Sequence, residues 1–210
     1  MDEHIILESI LREDVIPRYR RLLDATRDVV GRPVGGRVAF GRLWSTCHGL
    51  AHWTRVGCLA LRIVRALPTD GRPVERDEEA VLVASFFHDA GRLTEWHEPG
   101  HGEAGARILE ALAGDLGLDP SVVLIAAQAI RLHDSDDCPL PPADRVGIAL
   151  ANADRLDRVR LGESPRSDLM YDDGVWPSLV KPSEWLLRFV EGHRFWQGLR
   201  TERQDASTDA

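Results

Sequence analysis

The chain is short of cysteine, of basic charge and of long apolar runs, and each shortage removes a class of answer. Its cysteines, Cys47, Cys58 and Cys138, are odd in number and contain no Cys-x-x-Cys pair, which counts against a disulfide framework and against a thiolate zinc knuckle. Cys47 and Cys58 read instead as small, mostly buried residues on or beside a helix. Lysine and arginine number 26 against 34 acidic residues, a net charge of −8. Such a chain repels polyanions on average, so neither a long nucleic acid nor an anionic membrane surface is the expected partner. No apolar run approaches the roughly 18 residues that a spanning helix needs. The start, Met1-Asp2-Glu3-His4, lacks the basic-then-apolar layout of a signal peptide, and the expectation is a soluble, cytoplasmic protein. Internal repeats, low-complexity blocks and strand-like alternation of useful length are missing too.

What is present is helical periodicity nearly throughout. An apolar fraction of 43% over 210 residues supports one buried core, so the expectation is a single all-α domain, a helical bundle. Residues 3–30 carry Ile6, Ile10, Leu11, Tyr19, Leu22, Leu23 and Val29 on one side, with Pro17 kinking or splitting the segment. Gly31 to Gly36 form a breaker loop. A second helix carries Trp53, Val56, Ala60, Ile63 and Val64 and stops at Pro68. A third begins near Asp77 as N-cap and is apolar almost all round through Phe87, which places it mid-bundle. Further helices are expected at about 101–114, at 120–133 after an Asp119-Pro120 start, at 143–158, and from Ser183 onward. Residues 162–182, with Pro165, Gly174, Pro177 and Pro182 among them, read as a long binding loop or lid. Beyond Arg203 the chain is polar and expected to fray.

The chemistry lies in histidine and aspartate. His48, His52, His88, His97, His101 and His133 fall at helix starts, helix ends or in the connecting loops, Asp89 follows His88 directly, and Asp154 interrupts the apolar stretch Ile148 to Ala153. A buried carboxylate in such a helix needs a cation or several donors. Imidazole and carboxylate together suit divalent ions such as Mn, Fe, Co, Ni or Zn, and a bundle can aim such ligands inward from facing helices. Neighbours on a regular helix point about 100° apart, so an adjacent His-Asp pair reaches one ion best at a helix end. Singly, each residue is explained as well by a cap or a satisfied core group; the ordered set is harder to dismiss.

The order His52, His88-Asp89, His101, His133, Asp154 resembles the HD superfamily of metal-dependent phosphohydrolases, over roughly residues 45–160. The local phrases are similar as well: His52-Trp53-Thr54-Arg55-Val56, Phe87-His88-Asp89-Ala90-Gly91-Arg92, His101-Gly102-Glu103-Ala104-Gly105 and Asn152-Ala153-Asp154-Arg155-Leu156-Asp157. The resemblance implies an all-α HD-domain bundle and one or two divalent ions (Mn, Fe, Ni, Co, Zn or Mg). The first ion would be held by His52, His88, Asp89 and Asp154. His101 and His133 match the extra ligands of two-metal members, with Asp89 bridging. His48, one turn before His52, is either a further ligand or a helix-start residue. The implied reaction is attack of metal-activated water on a small phosphate ester, a nucleotide in the first instance, with Asp89 and Arg92 at the reaction centre. Arg55, Arg92 and Arg155 are the candidate phosphate contacts, because a planar guanidinium binds phosphate bidentately. Asp134 is a candidate partner for the His133 ring, and His97 a candidate pocket or surface residue. Two other readings stay open: a mixed-valent diiron oxygenase of the same superfamily, and a non-catalytic nucleotide-binding module. Oligomeric state is not legible.

Overall fold

Leu7, Leu11, Val15 and Tyr19 recur every four residues, a spacing that drifts around a helix of 3.6 residues per turn. The computed structural model, which describes residues 2–69, 73–96, 98–133 and 144–192, shows how the drift is taken up. α1 (Glu3–Ile10) runs into one wide π turn at Leu11–Val15 and then α2 (Ile16–Thr26), and all four residues are fully buried. Pro17 lies in the first turn of α2, where its missing N–H costs least. The segment stays helical from Glu3 to Thr26, and its one irregularity is the π turn ahead of Pro17 and not a break at it; Leu7 and Val15 lie in the core and Ile6 is only partly covered. The expected breaker loop holds a minimal hairpin, β1 (Pro33–Val34) with β2 (Arg37–Val38). Gly35 and Gly36 both have positive φ, +59° and +84°, as a tight primed turn requires.

The remaining helices are α3 (Leu50–Ala66), α4 (Val74–Phe87), α5 (His101–Leu112), α6 (Pro120–Leu132), α7 (Arg145–Leu156) and α8 (Trp176–Gly192). α3 packs most extensively on α4 and α7, α4 also meets α6, and α5 lies along α6. The fold is all-α, as the sequence implies. α4 is the central helix, and from Ala80 to Phe87 every residue is buried. Two boundaries differ from expectation. Asp77 does not cap α4 from outside; it lies within it, buried, as the ion-pair partner of Arg145 of α7 at 2.5 Å. α8 begins seven residues before Ser183, because Asp173 Oδ1 accepts from the backbone N–H groups of both Val175 and Trp176 at 2.7 Å. Pro182 therefore sits inside the helix, and the irregular segment is shorter than 162–182. Cys58 is buried and Cys47 half-buried, while Cys138 lies outside the described residues.

Two features fix the end of α4 against its surroundings. Phe40 is held at φ 56°, a left-handed conformation that costs a side-chain-bearing residue about 1–2 kcal/mol. The strain is offset by burial of its ring among Trp53, Phe86 and Phe87 and by its N–H donating to the Ala90 carbonyl at 2.7 Å. On the other side α5 approaches backbone to backbone. A Cβ on Gly105 would stand 2.5 Å from the Phe87 carbonyl oxygen, and one on Gly102 would stand 2.5 Å from that of Ile130. Only glycine lets α5 close on the ends of both α4 and α6. That contact sets where His101 stands relative to His88 and His133.

Candidate metal centre

The six ligand candidates come from five helices: His52 from the first turn of α3, His88 and Asp89 from the end of α4, His101 from the first residue of α5, His133 from the end of α6, Asp154 from the last turn of α7. The structure brings all of them together. His52 Nε2 lies 3.1 Å from His88 Nε2 and 3.2 Å from Asp154 Oδ1. Asp89 Oδ2 lies 3.5 Å from the first of these nitrogens and 3.6 Å from the second. A second imidazole pair faces the other carboxylate oxygen. His101 Nε2 is 3.1 Å from His133 Nε2 and 3.5 Å from Asp89 Oδ1. Asp89 thus stands between two imidazole pairs and turns one oxygen to each.

Tautomer accounting decides what these pairs need. His88, His101 and His133 each place Nδ1 on the backbone carbonyl three residues earlier, at 2.9, 2.8 and 2.7 Å. A carbonyl only accepts, so each Nδ1 carries the hydrogen and each Nε2 presents a lone pair. His52 Nδ1 donates in the same way to Asp157 Oδ2 at 2.7 Å. Lone pairs facing one another at 3.1 Å call for positive charge in the gap, either a metal ion or a proton that turns one imidazole into a donor. A gap of 3.1 Å is short enough for both nitrogens to hold one ion at ordinary metal–nitrogen distances of about 2.1 Å. Three sets are close enough to share an ion: His52, His88 and Asp154; His88, Asp89 and His133; and His48, His52 and Asp89. The donor set fits a divalent metal.

Residues 49–159 match the family described as HD domain. The chain belongs to the HD domain family. No curated protein and no solved structure matches it. HD-domain proteins are mostly metal-dependent hydrolases, and the matched segment spans every ligand named above except His48, which precedes its first residue.

Charge in this HD centre is set by burial opposed by close carboxylates and guanidinium groups. Burial and the neighbouring Arg160 push the His52 imidazole down. The carboxylates of Asp154, Asp157 and Asp89 outweigh them and hold it up at about 9. His88, across the 3.1 Å gap, is pushed down to about 3, chiefly by burial. One proton on His52 thus offsets part of the negative charge of the carboxylates around it. Burial also opposes the charge on Asp89, but His88, His48, His52 and Arg92 hold its carboxyl well below the usual range. Asp154 is likewise held low against burial, by His52, His88 and Arg160.

The arginine candidates part company here. Arg55, a candidate phosphate contact or ion-pair member on α3, is buried to 1% exposure and clamps Asp157 with Nε at 2.7 Å and Nη2 at 3.0 Å. A guanidinium with no open face braces the site and does not meet a substrate. Arg155 lies over the Tyr171 ring, 5.1 Å from its centroid, and donates to the Leu169 carbonyl. With Asn152, whose Nδ2 donates to the Tyr171 carbonyl and to Asp173 at 2.8 Å each, it pins the 162–175 segment to α7 beside Asp154. Arg92 is in the centre itself, with Nε on Asp89 Oδ1 at 2.9 Å and Nη2 on His101 Nε2 at 3.0 Å. His48 Nδ1 is 3.1 Å from Asp89 Oδ2, within reach of the first imidazole pair. Asp134 and His97 lie outside the described residues.

Two functional residues escaped the sequence reading. Asp157 receives His52 and Arg55 and is fully buried; Arg160 stands 3.6 Å from Asp157 Oδ2 and donates from Nε to the Cys47 carbonyl at 2.8 Å. The signal for Asp157 was its spacing of three from Asp154, which puts both carboxylates on one helical face. Arg160 follows in a 3₁₀ turn, where helical spacing gives no cue.

Proposed function

We propose that this HD protein is a metal-dependent phosphohydrolase acting on a small phosphate ester, with nucleotides as the favoured class. The observation that carries the reading is the pair of imidazole couples whose lone pairs converge at 3.1 Å on either side of one carboxylate. His52, His88, Asp89 and Asp154 would hold a divalent ion. When bound, such an ion makes the attacking water acidic enough to act near neutral pH and offsets charge growing on the phosphoryl oxygens.

The chain's own residues supply the rest. Asp157 fixes the His52 tautomer so that Nε2 faces inward. Asp154, with its side chain 28% exposed, is the ligand nearest solvent and marks the side from which substrate enters. Trp96 supports the nucleotide class. The residue is 82% exposed and its backbone carbonyl accepts from Arg92 Nη1 at 3.0 Å, so an exposed aromatic residue is tied by its backbone to a group of the centre, and in this reading its ring stacks on a base. Among the described residues no helix is long and apolar enough to cross a membrane.

The test is phosphate release from a panel of nucleoside mono- and triphosphates and simple phosphomonoesters, with Mn, Ni, Co or Mg added to chelator-stripped protein. Release that needs the ion and disappears in His88→Ala supports the proposal. Metal-loaded protein that binds nucleotides but frees no phosphate from any of them would leave a binding module in its place. The bridging position of Asp89 also suits a diiron oxygenase, and anaerobic loading with iron followed by oxygen uptake separates that reading.

A further inference from the structure

The two halves of the centre are not equivalent. On the His52–His88 side the imidazole of His52 is backed by a carboxylate, Asp157 at 2.7 Å. On the other side the Nδ1 groups of His101 and His133 donate to neutral backbone carbonyls, and a guanidinium already sits on Nε2 of His101. Arg92 Nη2 donates to the Nε2 lone pair of His101 at 3.0 Å, and Arg92 Nε donates to Asp89 Oδ1 at 2.9 Å, the oxygen turned toward this half. Nη1 is tied to the Trp96 carbonyl at 3.0 Å, and the whole residue is only 8% exposed. Its spacing from Asp89, three residues on through the tight turn that ends α4, leaves it little freedom to retreat.

We propose that Arg92 is the resident cation of the His101–His133 position. The protein then takes one divalent ion tightly, at His52, His88, Asp89 and Asp154, and a second only by displacing the guanidinium. The proposal rests on the metal reading above and goes beyond it by assigning the second position to a side chain. The physical basis is twofold. The guanidinium saturates the His101 lone pair and the Asp89 oxygen that a second ion would need, and its fixed charge repels a dication arriving a few ångströms away. Asp89 then bridges an ion and an arginine, and the imidazoles of His101 and His133 orient the arginine.

Isothermal titration of chelator-stripped full-length protein with Mn(II), with bound metal counted after dialysis, reads the stoichiometry without any activity. Wild type is expected to take one ion tightly and a second at least about 100-fold more weakly. Arg92→Gln should tighten the second by at least about tenfold and leave the first within about threefold; adding His133→Ala to that variant should remove the second again. Electron paramagnetic resonance of wild type with two equivalents of Mn(II) needs no variant. Isolated-ion spectra support the proposal, whereas an exchange-coupled pair overturns it. Two wild-type ions of matched affinity, or a second affinity unmoved in Arg92→Gln, also overturn it while leaving the metal site intact. No binding at all ends both readings.

Discussion

Replacing Asp157 by asparagine keeps the volume of the side chain and removes its charge, at a position with no solvent exposure. Two consequences follow from its partners, and they are separable. Arg55 loses the counter-ion that it holds at 2.7 and 3.0 Å and cannot turn to water, since its Nη1 is already buried without a hydrogen bond. Stranding one member of a buried pair costs about 3–5 kcal/mol, which for a chain of this size lowers the melting temperature by about 10 °C. His52 also loses the carboxylate on its Nδ1, and loss of such a partner weakens metal binding by about 10–100-fold. Adding Arg55→Met should return at least half of the lost stability, because the stranded charge is gone, while metal affinity stays low, because His52 still lacks its carboxylate. Calorimetric melts of the metal-free proteins and Mn(II) titrations of wild type, Asp157→Asn and the double variant read the two effects apart. Asp157→Asn melting within about 1 °C of wild type with unchanged metal affinity would refute the reasoning.

Other expectations follow from the same geometry. Since the metal-free chain keeps a proton on His52 up to a pKa of about 9, metal uptake at pH 7 should release about one proton and apparent affinity should rise about tenfold per pH unit from 6.5 to 8.5; titrations in buffers of different ionisation enthalpy measure this, and a flat profile contradicts it. The same raised pKa stabilises the metal-free fold fully below the unfolded value of about 6.5, so the melting temperature of stripped protein should fall as pH rises from there toward 9. Saturation with metal at 100 times its dissociation constant should stabilise the fold by about 2.7 kcal/mol, seen as a rise in melting temperature that chelator reverses. Gly105→Ala, with a Cβ 2.5 Å from the Phe87 carbonyl oxygen, should cost about 1–3 kcal/mol and weaken metal binding as His101 and His88 are forced apart. Trp96→Ala should raise KM for a nucleotide about 5- to 150-fold, the equivalent of about 1–3 kcal/mol of stacking, and leave KM for glycerol phosphate unchanged.

By itself the sequence determined the class of fold and the elements of the centre. Periodicity near 3.6, the near-continuous apolar run from Ala80 to Phe87 and the Asp119-Pro120 start leave little choice but a helical bundle, since these are local properties of the chain. The ligand types were legible for the same reason: a histidine or aspartate interrupting an apolar helix face is costly wherever the helix packs, so it announces a cation. Charge partners were not legible, because pairing depends on which helices meet. Arg55 and Asp157 are 102 residues apart, and only the packing of α3 on α7 turns a plausible phosphate contact into a buried brace. Tertiary structure alone also decided that Asp77 belongs to Arg145, that Asp173 starts α8 ahead of Ser183, and that Arg92 stands on the His101 lone pair. Each of these is a polar group choosing among several possible partners, and that choice is made by distance after the apolar faces have docked.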